Sequence, residues 1–93
     1  MTYKITKYSF DQARKLGVTI KPSTKKSKKI DVFDKNGYLI CSIGDTKYGD
    51  YPTYREKSGL DFANERRRLY RLRHTGEDKK IGSCGFYALR ILW

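Results

Sequence analysis

Residues 29–43 read KIDVFDKNGYLICSI, and this stretch decides the fold. Residues 30–33 and 38–43 are rich in β-branched and aromatic side chains, and Asp34-Lys35-Asn36-Gly37 separates them. Asn-Gly between two such runs supplies the positive-φ positions that a tight hairpin needs. A lone hairpin is marginal in water, so the rest of the chain must cover its apolar face. Downstream, residues 60–74 lack Pro and Gly and read as a helix, with Gly76 placed to end it. Phe62, Leu69 and Leu72 fall on one side of that helix and predict its buried face. Residues 83–93 are strongly apolar and read as a C-terminal helix, with Trp93 plugging the core.

Upstream, residues 2–8 alternate in polarity and predict an entry strand. Ser9 with Gln12 three residues on resembles a capping box, opening a short helix whose apolar side carries Phe10, Ala13 and Leu16 and which stops at Gly17. Residues 18–22 are extended again. Residues 44–59 read as a loop packed through Tyr48, Tyr51 and Tyr54, with one helical turn after Pro52. The expected class is therefore α+β: a small antiparallel sheet centred on a hairpin at about 29–43, packed with a helix at about 60–74 and a C-terminal helix. Ninety-three residues hold a single domain, 1–93, with one core.

Charge is the strongest global signal. Twenty-one Lys and Arg oppose ten Asp and Glu, a net +11, and a field of that sign attracts polyanions. No apolar run has the length of a membrane span, so a membrane partner is not expected. Ten of the positive charges sit in two acid-free clusters. Lys21, Lys25, Lys26, Lys28 and Lys29 lie within residues 21–29, read as a flexible lysine arm that tracks phosphates as mobile point charges. Arg66, Arg67, Arg68, Arg71 and Arg73 lie on the predicted helix, and at 100° per residue Arg67, Arg71 and His74 share the side opposite Leu69 and Leu72. A row of guanidinium forks suits a phosphate backbone. Lys79 and Lys80 extend the basic surface beyond it.

Signs of catalysis are thin. Asp31 on one strand, with Asp45-Thr46-Lys47 after the next, has the outline of a metal-dependent nuclease site. Short acid-x-Lys strings recur by chance in a charged chain. His74 has no acid partner in sequence, and neither cysteine has a histidine near it. Two thiols give no metal-ligand pattern; Cys41 reads as buried and Cys84 as exposed. The expectation is a non-enzyme with no cofactor and no metal.

The string Arg67-Arg68-Leu69-Tyr70-Arg71-Leu72-Arg73-His74, followed by Gly85-Phe86-Tyr87-Ala88 and Ile91-Leu92-Trp93, resembles a family of small basic proteins of nucleocytoplasmic large DNA viruses. In that family an Arg-rich helix ending in Tyr-x-x-Arg-His precedes a glycine and aromatic segment closing on Leu-Trp. The run from Lys28 to Phe33 and the segment 43–52 are similar too, so the likeness spans about 27–93. It implies a viral protein of the host cytoplasm and the virion, and it supplies no enzymatic mechanism. The leading expectation is non-catalytic binding of viral DNA, favoured over RNA, through Lys25, Lys26, Lys28, Lys29, Arg66, Arg67, Arg68, Arg71, Arg73, His74, Lys79 and Lys80. The alternative is a virion structural or assembly protein meeting an acidic protein surface, with a metal-dependent nuclease third. Virion proteins and a second copy, as a homodimer, are the further partners considered.

Overall fold

The computed structural model describes residues 3–76 and 79–93. Its elements run α1 (Lys7–Leu16), β1 (Thr19–Pro22), β2 (Lys28–Phe33), β3 (Leu39–Asp45), α2 (Tyr51–Ser58), α3 (Leu60–Arg73) and α4 (Cys84–Ile91). The strands form one antiparallel sheet in the order β1-β2-β3. This is an α+β fold with the predicted hairpin at its centre.

In the β2–β3 pair Ile30 lies opposite Ile43, Asp31 opposite Ser42 and Val32 opposite Cys41. The turn between them uses Gly37 alone at positive φ (86°), while Asn36 stays at negative φ. The Gly37 amide donates to the Asp34 carbonyl, and the Asp34 amide donates to the Tyr38 carbonyl. Asp34 Oδ1 accepts from the amides of Asn36 and Tyr38. This is the three-residue loop that closes on a glycine bulge, and the register shifts between Val32 and Phe33 accordingly.

Side chains alternate along a strand, so Ile20, Ile30, Val32, Cys41 and Ile43 share one face, and all five are buried. Lys29, Asp31 and Ser42 point to the other. The central strand β2 is thus buried on both sides, and its second face buries charge. Ala13, Leu89, Ile91, Leu92 and Trp93 join the apolar face in one core, so the C-terminal helix and the Trp93 plug are as expected.

Four local expectations are corrected. Residues 3–6 pair with no strand, and α1 begins at Lys7 with Thr6 as its cap, Thr6 Oγ1 accepting from the Ser9 amide. The alternation of Tyr3 and Ile5 reflects an extended segment packed on the core, not a sheet partner. Ser9 is instead fully buried, and its hydroxyl donates to the Ile91 carbonyl at 2.8 Å. The inward stripe of α1 is therefore Ser9, Ala13 and Leu16, at helical spacing, and Phe10 is left 45% exposed.

Residues 51–58 form a full helix, α2, because Asp50 caps it through Thr53 and Pro52 sits in the first turn, where a missing N–H costs nothing. The helix α3 matches its predicted span, with His74 as C-cap, yet Phe62 and Leu72 are exposed. Its inward residues are Ala63, Arg67 and Tyr70, because α3 packs on α2 and its tyrosines through a small residue and a flat cation.

The lysine segment 21–29 is no flexible arm. It is the end of β1, a closed turn and the start of β2. Asp31, buried, accepts from the Ser23 hydroxyl (2.6 Å), the Ser42 hydroxyl (2.6 Å) and the Thr24 amide. The Lys28 amide donates to the Lys25 carbonyl, and Ser27 accepts from the Thr46 amide, so the loop is pinned at both shoulders.

Candidate functional site

Two of the predicted binding residues are engaged in the fold, Lys29 buried and Arg67 half-buried. Lys29 is 4% exposed, and its Nζ donates to Asp50 Oδ2 at 2.9 Å. The Tyr3 hydroxyl donates to the same carboxylate at 2.7 Å, and its ring lies 5.3 Å from the Lys29 ammonium. Burial pushes the Asp50 carboxyl up, but the Lys29 charge and the donors from Lys29, Thr53 and Tyr3 outweigh it and hold the group below its usual range. Arg67 is the second case. Its guanidinium stacks 3.4 Å from the centroid of Tyr51 and donates to the Tyr8 hydroxyl at 3.0 Å, while its buried Nε finds no hydrogen-bond partner among the described residues. Lys29 borders a cleft with its ammonium already paired, and Arg67 lies outside that cleft's lining.

Lys28 from β2 and Arg66, Arg73 and His74 from the α3 side line the same cleft, of about 710 Å³. Its floor is aromatic. Trp93 stacks on Tyr70 with ring centroids 4.3 Å apart and planes 9° apart, and Tyr70 stacks on His74 at 4.2 Å. Tyr54 and the exposed Tyr48 complete the rings, and Arg66 lies 5.6 Å from the Tyr54 centroid. Small residues open the space: Gly44, Gly49, Gly85 and Ala88 all line it. At Gly44 (φ 80°) a Cβ would fall 2.7 Å from Leu92 Cδ1 and 3.0 Å from the Lys29 chain, so only glycine lets Leu92 close the floor.

The cleft carries more positive than negative charge, with Asp45 opposite Lys28 as its one carboxylate outside a salt bridge among the described residues. Among the described residues Lys28, Arg66 and Arg73 form no salt bridge. Of the carboxylates lining it, Asp50 is neutralised by Lys29, and Asp45 Oδ1 accepts from the Lys47 amide. Such a cleft offers mobile positive charge at its walls and π surface at its base, a combination suited to a ligand that carries both anionic groups and planar rings.

The other predicted residues scatter. Lys25, Lys26, Lys79 and Lys80 are exposed and outside the cleft lining. Arg68 is held by Glu65 at 2.7 Å, the one local ion pair the sequence allowed. Arg71 faces the far side of α3, where its Nη2 donates to the Trp93 carbonyl. The sequence offers Tyr70 and the tyrosines of residues 44–59 as rings able to stack on unpaired bases, but not their joint lining with Trp93, because they lie on segments far apart in the chain. Sequence reasoning also missed Arg90, an isolated basic residue in an apolar segment.

Asp31 and Asp45 do not assemble the outlined two-carboxylate site. Asp31 sits opposite Ser42 and Asp45 opposite Lys28, three register positions away, and the oxygens of Asp31 are committed to the lysine turn. Cys41 is buried and Cys84 exposed at the cleft lip, both as free thiols. Burial and the adjacent Cys84 thiol push Cys41 up to about 12. No family model, no curated protein and no solved structure matches this chain.

Proposed function

We propose that this protein binds nucleic acid non-catalytically, with phosphates at the cleft walls. The observation that carries this reading is that Lys28, from the lysine cluster, and Arg66, Arg73 and His74, from the arginine cluster, line a single cleft. Residues that are distant in sequence are brought together, and Lys28, Arg66 and Arg73 outnumber the one cleft carboxylate, Asp45, that no lysine or arginine pairs among the described residues. The net charge of +11 draws a polyanion to the surface, and Lys25 and Lys26 add to that field at the edge of the sheet. The resemblance to proteins of large DNA viruses makes viral DNA the expected polymer.

Phosphate contacts position a polymer and carry little base information, so the binding has weak sequence preference. The test is affinity for labelled oligonucleotides as salt rises from about 50 to 200 mM, where each released counterion steepens the fall. Lys28→Ala, Arg66→Ala and Arg73→Ala are each expected to lower affinity across all sequences and to flatten the salt dependence by about one charge. Binding that is absent at low salt, or insensitive to these three changes, refutes the reading.

A further inference from the structure

A second notch, of about 410 Å³, lies on the other side of the α3 C-terminus between Gln12, Arg71, Leu89 and Arg90. His74 lines this notch and the cleft alike, so the two concavities meet at one ring. The Arg71 guanidinium lines the notch and donates to the Trp93 carbonyl at 3.3 Å. No salt bridge engages Arg67, Arg71 or Arg90 among the described residues. Burial lowers the Arg71 pKa, and the nearby Arg67 and Arg90 charges lower it further, the mark of crowded cations without a counter-ion. Arg90 itself is exposed and lies over the Phe86 ring at 5.1 Å, which fixes its direction.

The shape of the first cleft selects among polymers. Its volume falls in the range of pockets that take one small ligand, about 300–1,000 Å³. Its rings lie at the base of a concavity, and a base held in a duplex cannot reach them without leaving its stack. A duplex would touch the rim alone. An unpaired base brings its own π surface to the half-buried His74 end of the Trp93–Tyr70–His74 stack while its phosphates stay with the wall cations.

Resting on the nucleic-acid reading above, we propose that the ligand is single-stranded: one unpaired base enters the aromatic cleft, and the strand continues past His74 so that a following phosphate sits in the Arg71–Arg90 notch. Arg90 is thereby a binding residue, although it lies outside both basic clusters. The strand runs across the end of α3, and Trp93 senses its arrival.

Trp93 is the sole tryptophan of the chain, so its emission reports on the cleft without a label. Titration with a mixed-sequence single strand of about twelve nucleotides, and with the same sequence as a duplex, is the experiment. The single strand is expected to bind about tenfold tighter, to quench Trp93 and to show a salt slope near −0.7 per phosphate. Arg90→Ala is expected to weaken single-strand affinity about threefold to tenfold, the loss of one charge-assisted contact, with thermal unfolding unchanged. Duplex binding as tight as the single strand, with Trp93 emission unmoved, overturns this inference and leaves the nucleic-acid reading standing. Binding of neither overturns both. An Arg90→Ala variant with unaltered affinity and an intact fold removes the notch from the path.

Discussion

Lys28 and Lys29 are adjacent in sequence, as are Arg66 and Arg67, and in each pair the two members have opposite tasks. Lys28 and Arg66 line the cleft without a salt bridge among the described residues. Lys29 is buried against Asp50 and Tyr3, and Arg67 is stacked on Tyr51. The difference lies in the partners each cation finds. Lys29 also borders the cleft, but its ammonium is spent on Asp50, while one 100° step along α3 turns Arg67 onto Tyr51 and leaves Arg66 at the cleft wall. Counting positive charges treats all four alike; their stability and binding phenotypes are predicted to diverge.

The largest divergence is expected at Lys29. Lys29→Met leaves the Asp50 carboxylate buried without its partner, and a loss of about 3–5 kcal/mol in urea unfolding is expected. Adding Asp50→Asn to that variant restores part of the loss, since the stranded charge is then gone. Lys28→Ala should stay within about 0.5 kcal/mol of the parent chain and lose only affinity. Equal destabilisation at the two lysines would break the distinction. The arginine pair gives a smaller contrast. Arg67→Ala forfeits a desolvated cation–π contact and the Tyr8 hydrogen bond, a loss of about 2 kcal/mol, whereas Arg66→Ala leaves the midpoint nearly unmoved.

Acid sharpens the same contrast. Asp50 and Asp31 both keep folded pKa values below their ordinary 3.8: burial raises each, and their charged and hydrogen-bond donors more than reverse it. Their contribution is complete above pH 3.8 and fades as the pH falls through the lower folded values. Stability measured between about pH 5 and 2 should therefore drop for the parent chain and drop less for the Lys29→Met/Asp50→Asn variant. Parallel curves would show that the buried pair does not carry the acid sensitivity. The smallest effect concerns thiols. In the native protein a maleimide should modify Cys84 within minutes and leave Cys41, whose thiol is buried and pushed up to about 12, until the chain is unfolded.

Much of the architecture was legible because its signals are local. The Asp34–Gly37 turn, the alternation on β2 and β3, and the uninterrupted run of α3 each follow from a short window. The buried face of α3 was not legible, since a hydrophobicity pattern points to Phe62 and Leu72, while the neighbouring α2 offers tyrosine rings that accept Arg67 instead. Asp50 looked like a loop acid and turned out to be a helix cap that also anchors Lys29 and Tyr3. The two arginine and lysine clusters were visible at once. Their meeting in one cleft was not, because it depends on how distant segments pack, and no residue spacing encodes that distance.

The hydrogen bond from Ser9 to the Ile91 carbonyl spans 82 residues. A growing chain presents α1 before α4, so the acceptor for Ser9 does not exist until the last turn of α4 has been synthesised. The first helix can pack on β1 at once but gains its Ile91 partner only after 82 further residues. Contacts of such separation slow folding, since a large loop closes before they form. The strong local turn at 34–37 supplies a seed that needs neither end of the chain.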